Sequence, residues 1–93
     1  MSLIVIPMQL LRELEVLGRH LIVLNTVRRD GPIGILRLSK ELQIPAHKVR
    51  YSLRVLANES LVKPTKKGAV VAPKSKEFSR KIKAIARELG GLC

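Results

Sequence analysis

Five side chains able to hydrogen-bond with bases or phosphates crowd into eight consecutive residues: His47, Lys48, Arg50, Tyr51 and Arg54. On a helix turning about 100° per residue from Val49, the residues His47, Tyr51, Arg54 and Asn58 gather within about 40° of the opposite face. Lys48 and Arg50 flank that stripe. An arginine there can place two parallel N–H groups on guanine O6 and N7 in a major groove, and the other side chains can reach base edges or phosphates. Because the first turns of a recognition helix enter deepest, His47 and Lys48 rank above Asn58 as readers. A second set of cations follows closely. Lys63, Lys66 and Lys67 cluster around a predicted turn, and Arg37 and Lys40 lie on the outer side of a short preceding helix. Lysines and arginines so placed suit the phosphate backbone. The alternative is a solvated face of an amphipathic helix, which any exposed charge run permits.

The distribution of charge favours a polyanionic partner. The chain has 93 residues and a formal net charge of +11. Residues 1–36 carry four basic and three acidic side chains, residues 37–68 eight against two, and residues 69–93 six against two. The basic excess thus begins where the candidate readers begin. Single-strand and RNA platforms stack bases on exposed rings. Here Tyr51 and Phe78 are the only aromatic residues, which leaves duplex DNA as the better match. No Gly-rich phosphate loop, no acidic pair and no nucleophile beside a histidine suggests catalysis, so an enzyme is not expected. The single Cys93 excludes an internal disulfide and a cysteine zinc site, and His20 reads as structural, so neither metal nor cofactor is expected. The apolar runs Leu3–Ile6 and Leu21–Leu24 are too short to span a bilayer, and the start lacks signal-peptide features. A cytoplasmic location follows as the expectation.

The elements that must hold these side chains can be read from periodicity. After Pro7, the residues Leu10, Leu14, Leu17, Leu21 and Leu24 recur at spacings of four and three, a helical stripe. Gly18 predicts a break within it, giving an accessory helix over 8–18 and the first core helix from 19 to 29. Asp30-Gly31-Pro32 ends the pattern. Ile33 can supply one residue of strand pairing, and Gly34 can open a short helix burying Ile35, Leu38 and Leu42. Ile44-Pro45-Ala46 is a tight connection into a third helix over about 46–58, with Val49, Leu53 and Leu56 inward. Leu61–Thr65 and Ala69–Ala72 then read as a hairpin around Lys66-Lys67-Gly68, with Pro64 marking an edge strand. A last helix over about 75–89 is predicted, with Ser75 as N-cap and Gly90-Gly91 at its end.

The stretch LSKELQIPAHKVRYSLRVLANESLV, from Leu38 to Val62, combines six apolar positions, a tight turn and a lead into the hairpin. In that order it resembles the winged helix-turn-helix superfamily of bacterial and archaeal transcriptional regulators, over roughly residues 19–73. The resemblance implies a mainly α fold with a small β-hairpin: a three-helix core plus wing, with extra N- and C-terminal helices. An added helix on each side is similar to the dimeric MarR-like branch. One domain over 1–93 is expected, comprising the accessory helix 8–18, the core 19–73 and a C-terminal dimerisation helix 74–93. The resemblance further implies that the third helix enters the major groove and that the wing lysines lie along the backbone. The position before Leu61, often glycine in such proteins, is Ser60. The metal-sensing branch of the superfamily uses clustered cysteines, which this chain lacks.

Phe78, Ile82, Ile85 and Leu89 repeat at four, three and four, a narrow apolar seam. It can pack on its own core or pair with a second subunit, with Leu10, Leu14 and Leu17 joining the same interface. For a small domain with little core, a homodimer is the favoured expectation. The leading functional expectation is sequence-specific binding of double-stranded DNA in transcriptional control. Two others stand beside it: a sequence-indifferent architectural DNA binder, and a winged-helix adaptor for protein or RNA.

Overall fold

The computed structural model describes residues 8–91, so the readings of Leu3–Ile6, Pro7 and Cys93 fall outside the described range. The order is α1 (Met8–Asp30), α2 (Ile35–Leu42), α3 (Ala46–Asn58), β1 (Val62–Thr65), β2 (Gly68–Val71) and α4 (Ser75–Gly90). It is a mainly helical, winged-helix-like arrangement of four helices and a two-stranded antiparallel hairpin. Val23 and Val27 of α1, Leu38 of α2, and Val49 and Leu56 of α3 meet Leu61 and Val62 in one apolar core.

The expected break at Gly18 is absent, and α1 is one helix of 23 residues. A single glycine costs a helix only about 0.5–1 kcal/mol relative to alanine. The apolar stripe keeps its phase across residue 18, so nothing drives a second helix to start. The C-terminal half of α1 carries its buried residues, His20, Val23, Leu24, Thr26 and Val27. Its first turns extend past the core, leaving Leu10, Leu14 and Leu17 about half exposed. The molecule is accordingly long, 53 × 28 × 21 Å.

Local hydrogen bonding fixes the turn between α2 and α3. Gln43 closes α2 in the left-handed region at φ 54°. The Ser39 hydroxyl donates to the Ile44 carbonyl at 2.6 Å. The Pro45 carbonyl then accepts the N–H groups of Lys48 and Val49, at 3.0 and 3.1 Å, to start α3. At the other end, Leu61 N–H reaches the Leu56 carbonyl at 2.9 Å and Ser60 N–H reaches Ala57 at 3.0 Å. This is a Schellman closure, and it puts its αL residue at Ser60, with φ 61°. A glycine is usual at such a position, and serine here adopts the glycine conformation.

The hairpin pairs Val62 with Val71, Lys63 with Val70, Pro64 with Ala69 and Thr65 with Gly68. Ile33 adds a single third-strand bridge to Ala69 through bonds of 2.8 and 3.1 Å, as its apolar, isolated place in the sequence predicts. Gly68 has φ +126°, and a Cβ there would sit 2.5–2.7 Å from backbone atoms of Ile33. Ser75 does not cap α4. It is the first, buried residue of the helix, Lys74 takes the cap position, and no side chain caps that end. The chain already turns before it, with Ser75 N–H bonded to the Ala72 carbonyl at 3.0 Å. No helix among the described residues is long and apolar enough to cross a membrane.

Two backbone positions give opposite expected outcomes in urea unfolding. Gly68→Ala should lower stability by about 2 kcal/mol or more, through left-handed strain and the clash with Ile33. Ser60→Gly should raise it by about 0.5–1 kcal/mol by relieving αL strain. An unchanged midpoint for Gly68→Ala would contradict the close approach of wing and Ile33.

Candidate nucleic-acid interface

Burial of Val49, Ser52 and Leu56 fixes the rotation of α3 about its axis. Val49 and Ser52 are fully enclosed. The opposite face must then point outward, and His47, Lys48, Arg50, Tyr51 and Arg54 are all exposed. The five base-reading candidates thus stand on the outward side of one helix. Asn58 is exposed at its end.

The proposed backbone contacts fall into two groups. Lys66 and Lys67 occupy the two-residue hairpin turn, which Thr65 braces by accepting Lys67 N–H at 3.2 Å and donating to the Gly68 carbonyl at 2.6 Å. Both lysines line a groove that Arg50 and Arg54 line from the α3 side. Lys63 is exposed on β1 outside that lining, and Arg37 and Lys40 are exposed on α2. Arg37 Nε is paired with the Glu41 carboxylate at 3.0 Å, which offsets part of its charge.

A polar junction that sequence spacing does not reveal ties α3 to α1. The Ser52 hydroxyl lies 2.7 Å from His20 Nδ1 and accepts from Arg19 Nε at 3.2 Å. Since Arg19 can only donate, the Ser52 hydrogen is available to His20 Nδ1, which suits a neutral imidazole. Burial, and then the nearby Arg19 charge, hold the His20 pKa below its ordinary value. The Tyr51 ring leans on the same histidine, with ring centroids 5.7 Å apart and planes tilted by 47°. Tyr51 is 47% exposed, so one side of the ring is braced and the rest is open. His20 is therefore structural, and through Tyr51 it touches the candidate reading face. Arg19, bound to the same hydroxyl, is a cation beside α3 that the sequence reading did not single out. Thirty-three residues separate it from Ser52.

The seam on α4 divides along its length. Phe78 is half-buried and packs against the domain's own core, the first of the two placements that the sequence allows for this seam. It lies in the first turn of α4, directly after the turn in which Ser75 N–H bonds the Ala72 carbonyl, so the core is within reach. Ile82 is half-buried and lines a groove of about 420 Å³ between α4 and α1, with Leu21 and Leu24. Ile85 and Leu89 run beyond the core and are 50% and 56% exposed.

Among solved structures, the chain is similar to the activation domain of the phage T4 transcription factor MotA, with a TM-score of 0.62. Identity is 16%, over 77% of this chain and 78% of that one, so the likeness is one of fold. No protein-family model matches the sequence. No curated protein matches it either.

The junction predicts how stability depends on pH. His20 binds its proton less readily folded than unfolded, so the unfolded state gains relative stability as pH falls through the ordinary value of 6.5. That loss should level off below the depressed folded value. Thermal unfolding between about pH 7.5 and pH 5 should show it, and His20→Gln should flatten the profile in that window. A profile equally steep in His20→Gln would contradict the assignment.

Proposed function

We propose that this chain is a transcriptional regulator that binds double-stranded DNA sequence-specifically as a homodimer. In this reading α3 enters the major groove and the hairpin follows the phosphate backbone. One observation carries it: a packed helix turns five base-capable side chains outward beside a turn made of two lysines. The net charge of +11 supplies the long-range attraction that such binding uses. Arg54 and Arg50 are assigned to base edges, with Tyr51, His47 and Lys48. Lys63, Lys66, Lys67, Arg37 and Lys40 are assigned to phosphates.

Exposed apolar side chains on both terminal helices support the dimer. Leu10, Leu14 and Leu17 on α1 and Ile85 and Leu89 on α4 leave apolar area in water that a second copy can cover. Two α3 helices would then address half-sites about 34–36 Å apart, one turn of duplex.

A second reading has one specific observation in its favour. The similar phage domain is described as an activation domain, so this fold also serves in a transcription factor under that heading. An adaptor that meets another protein through the basic face is the corresponding role here. The two readings separate by titration near 0.15 M salt with random competitor DNA, where a regulator retains one tight site. Equal loss of every duplex to competitor would favour an architectural binder. No duplex binding at all would favour the adaptor.

Arg54→Ala should weaken the preferred site by about 1–3 kcal/mol and leave random duplex nearly unaffected. Lys67→Ala should weaken all sequences alike and reduce the salt slope by about one phosphate. Equal losses on every sequence for Arg54→Ala would remove it from base reading. Ile85→Asp should shift the dimer to monomer in sedimentation equilibrium while the chain stays folded. A native chain that is already monomeric at micromolar concentration would exclude the dimer.

A further inference from the structure

The groove between α3 and the hairpin has an apolar floor under a basic rim, and the proposed duplex reading gives a role only to the rim. Its volume is about 530 Å³, within the range of sites that enclose drug-sized groups. Leu53 and Ala57 line it from α3, and Val62 and Pro64 from β1. Val62 is almost fully buried, Leu53 and Ala57 are half-buried, and Pro64 is exposed. Arg50, Arg54, Lys66 and Lys67 stand around it, and no acidic side chain is among its lining residues.

We propose that this groove docks an acidic, amphipathic segment of a partner protein, its apolar side chains on the floor and its carboxylates on the four cations. Phosphates and base edges are polar except for the thymine methyl group, so DNA alone leaves the floor poorly matched. A second copy of this chain is also a poor occupant, because it would bring a net charge of +11 to a rim of arginines and lysines. An acidic helix with apolar residues at spacings of three and four matches both features at once, in the helix-in-groove mode. The wing holds one wall of the groove in place, because the Ile33–Ala69 bridge ties β2 to the segment leading into α2. The floor thus exists before any partner arrives.

The test uses two fluorescein-labelled synthetic peptides of equal negative charge. One is an acidic amphipathic helix with leucines at i, i+3, i+4 and i+7, and the other has serine at those positions. At about 0.15 M salt, fluorescence anisotropy should show saturable one-to-one binding of the leucine peptide. Its affinity should exceed that of the serine peptide by about tenfold or more, the least that burying one leucine gives. Pro64→Glu places a carboxylate on the exposed hairpin wall and should weaken the leucine peptide by about tenfold or more, with an unchanged thermal midpoint. Amide shifts on adding the peptide should centre on residues 50–57 and 62–69. Equal affinity for the two peptides would reduce the site to charge alone and overturn the proposal. So would indifference to Pro64→Glu in the folded variant, or shifts centred on α1 and α4. No arm uses DNA, so failure of the groove and failure of duplex recognition are read separately.

Discussion

The seating of α3 on α1 is the constraint on which the other features depend. Val49 and Ser52 are enclosed completely, and Ser52 is a polar group that must be satisfied where it is buried. His20 and Arg19 satisfy it. Among the described residues, no buried side-chain nitrogen or oxygen lacks a partner. An apolar interface alone would tolerate a small rotation of the helix. Two hydrogen bonds to a single hydroxyl at 2.7 and 3.2 Å restrict it far more. With that rotation fixed, the direction of His47, Tyr51 and Arg54 is fixed as well.

The wing is held by a different device, backbone pairing at its base. Ile33 bonds to Ala69 in both directions, and Gly68 lets the two backbones approach where a Cβ could not fit. A two-residue hairpin of four-residue strands is marginal alone, so this third bridge and the burial of Val62 give it a definite position. Lys66 and Lys67 therefore face Arg50 and Arg54 across a defined groove. The same two arginines stand in both proposed surfaces, so a duplex and an acidic segment would compete for them.

Much of this was legible in the sequence because it depends on local periodicity. The bounds of α3, the buried set Leu38, Val49 and Leu56, the lone pairing residue Ile33 and the positive φ at Gly68 follow from spacing and residue type. Gly18 misled because a weak local preference was weighed against a helix whose far half is secured by packing. Ser75 has the chemistry of a cap, yet the turn from Ala72 places it one residue inside the helix. The His20–Ser52–Arg19 junction joins residues more than thirty apart, beyond the reach of periodicity. One signal was nevertheless present. Ser52 lies three residues after Val49 and four before Leu56, a phase that marks it as inward-facing and in need of a partner. Phe78 and Ile85 share one stripe but have different surroundings, because the core ends partway along α4.

Selection of bound fragments from a pool of random duplexes, near 0.15 M salt, tests the central claim most directly. The proposed arrangement of α3 and wing predicts enrichment of one short motif, repeated as inverted half-sites about 10–10.5 base pairs apart. A retained pool with no enriched motif, or no retained DNA at all, would contradict base reading by the outward face of α3.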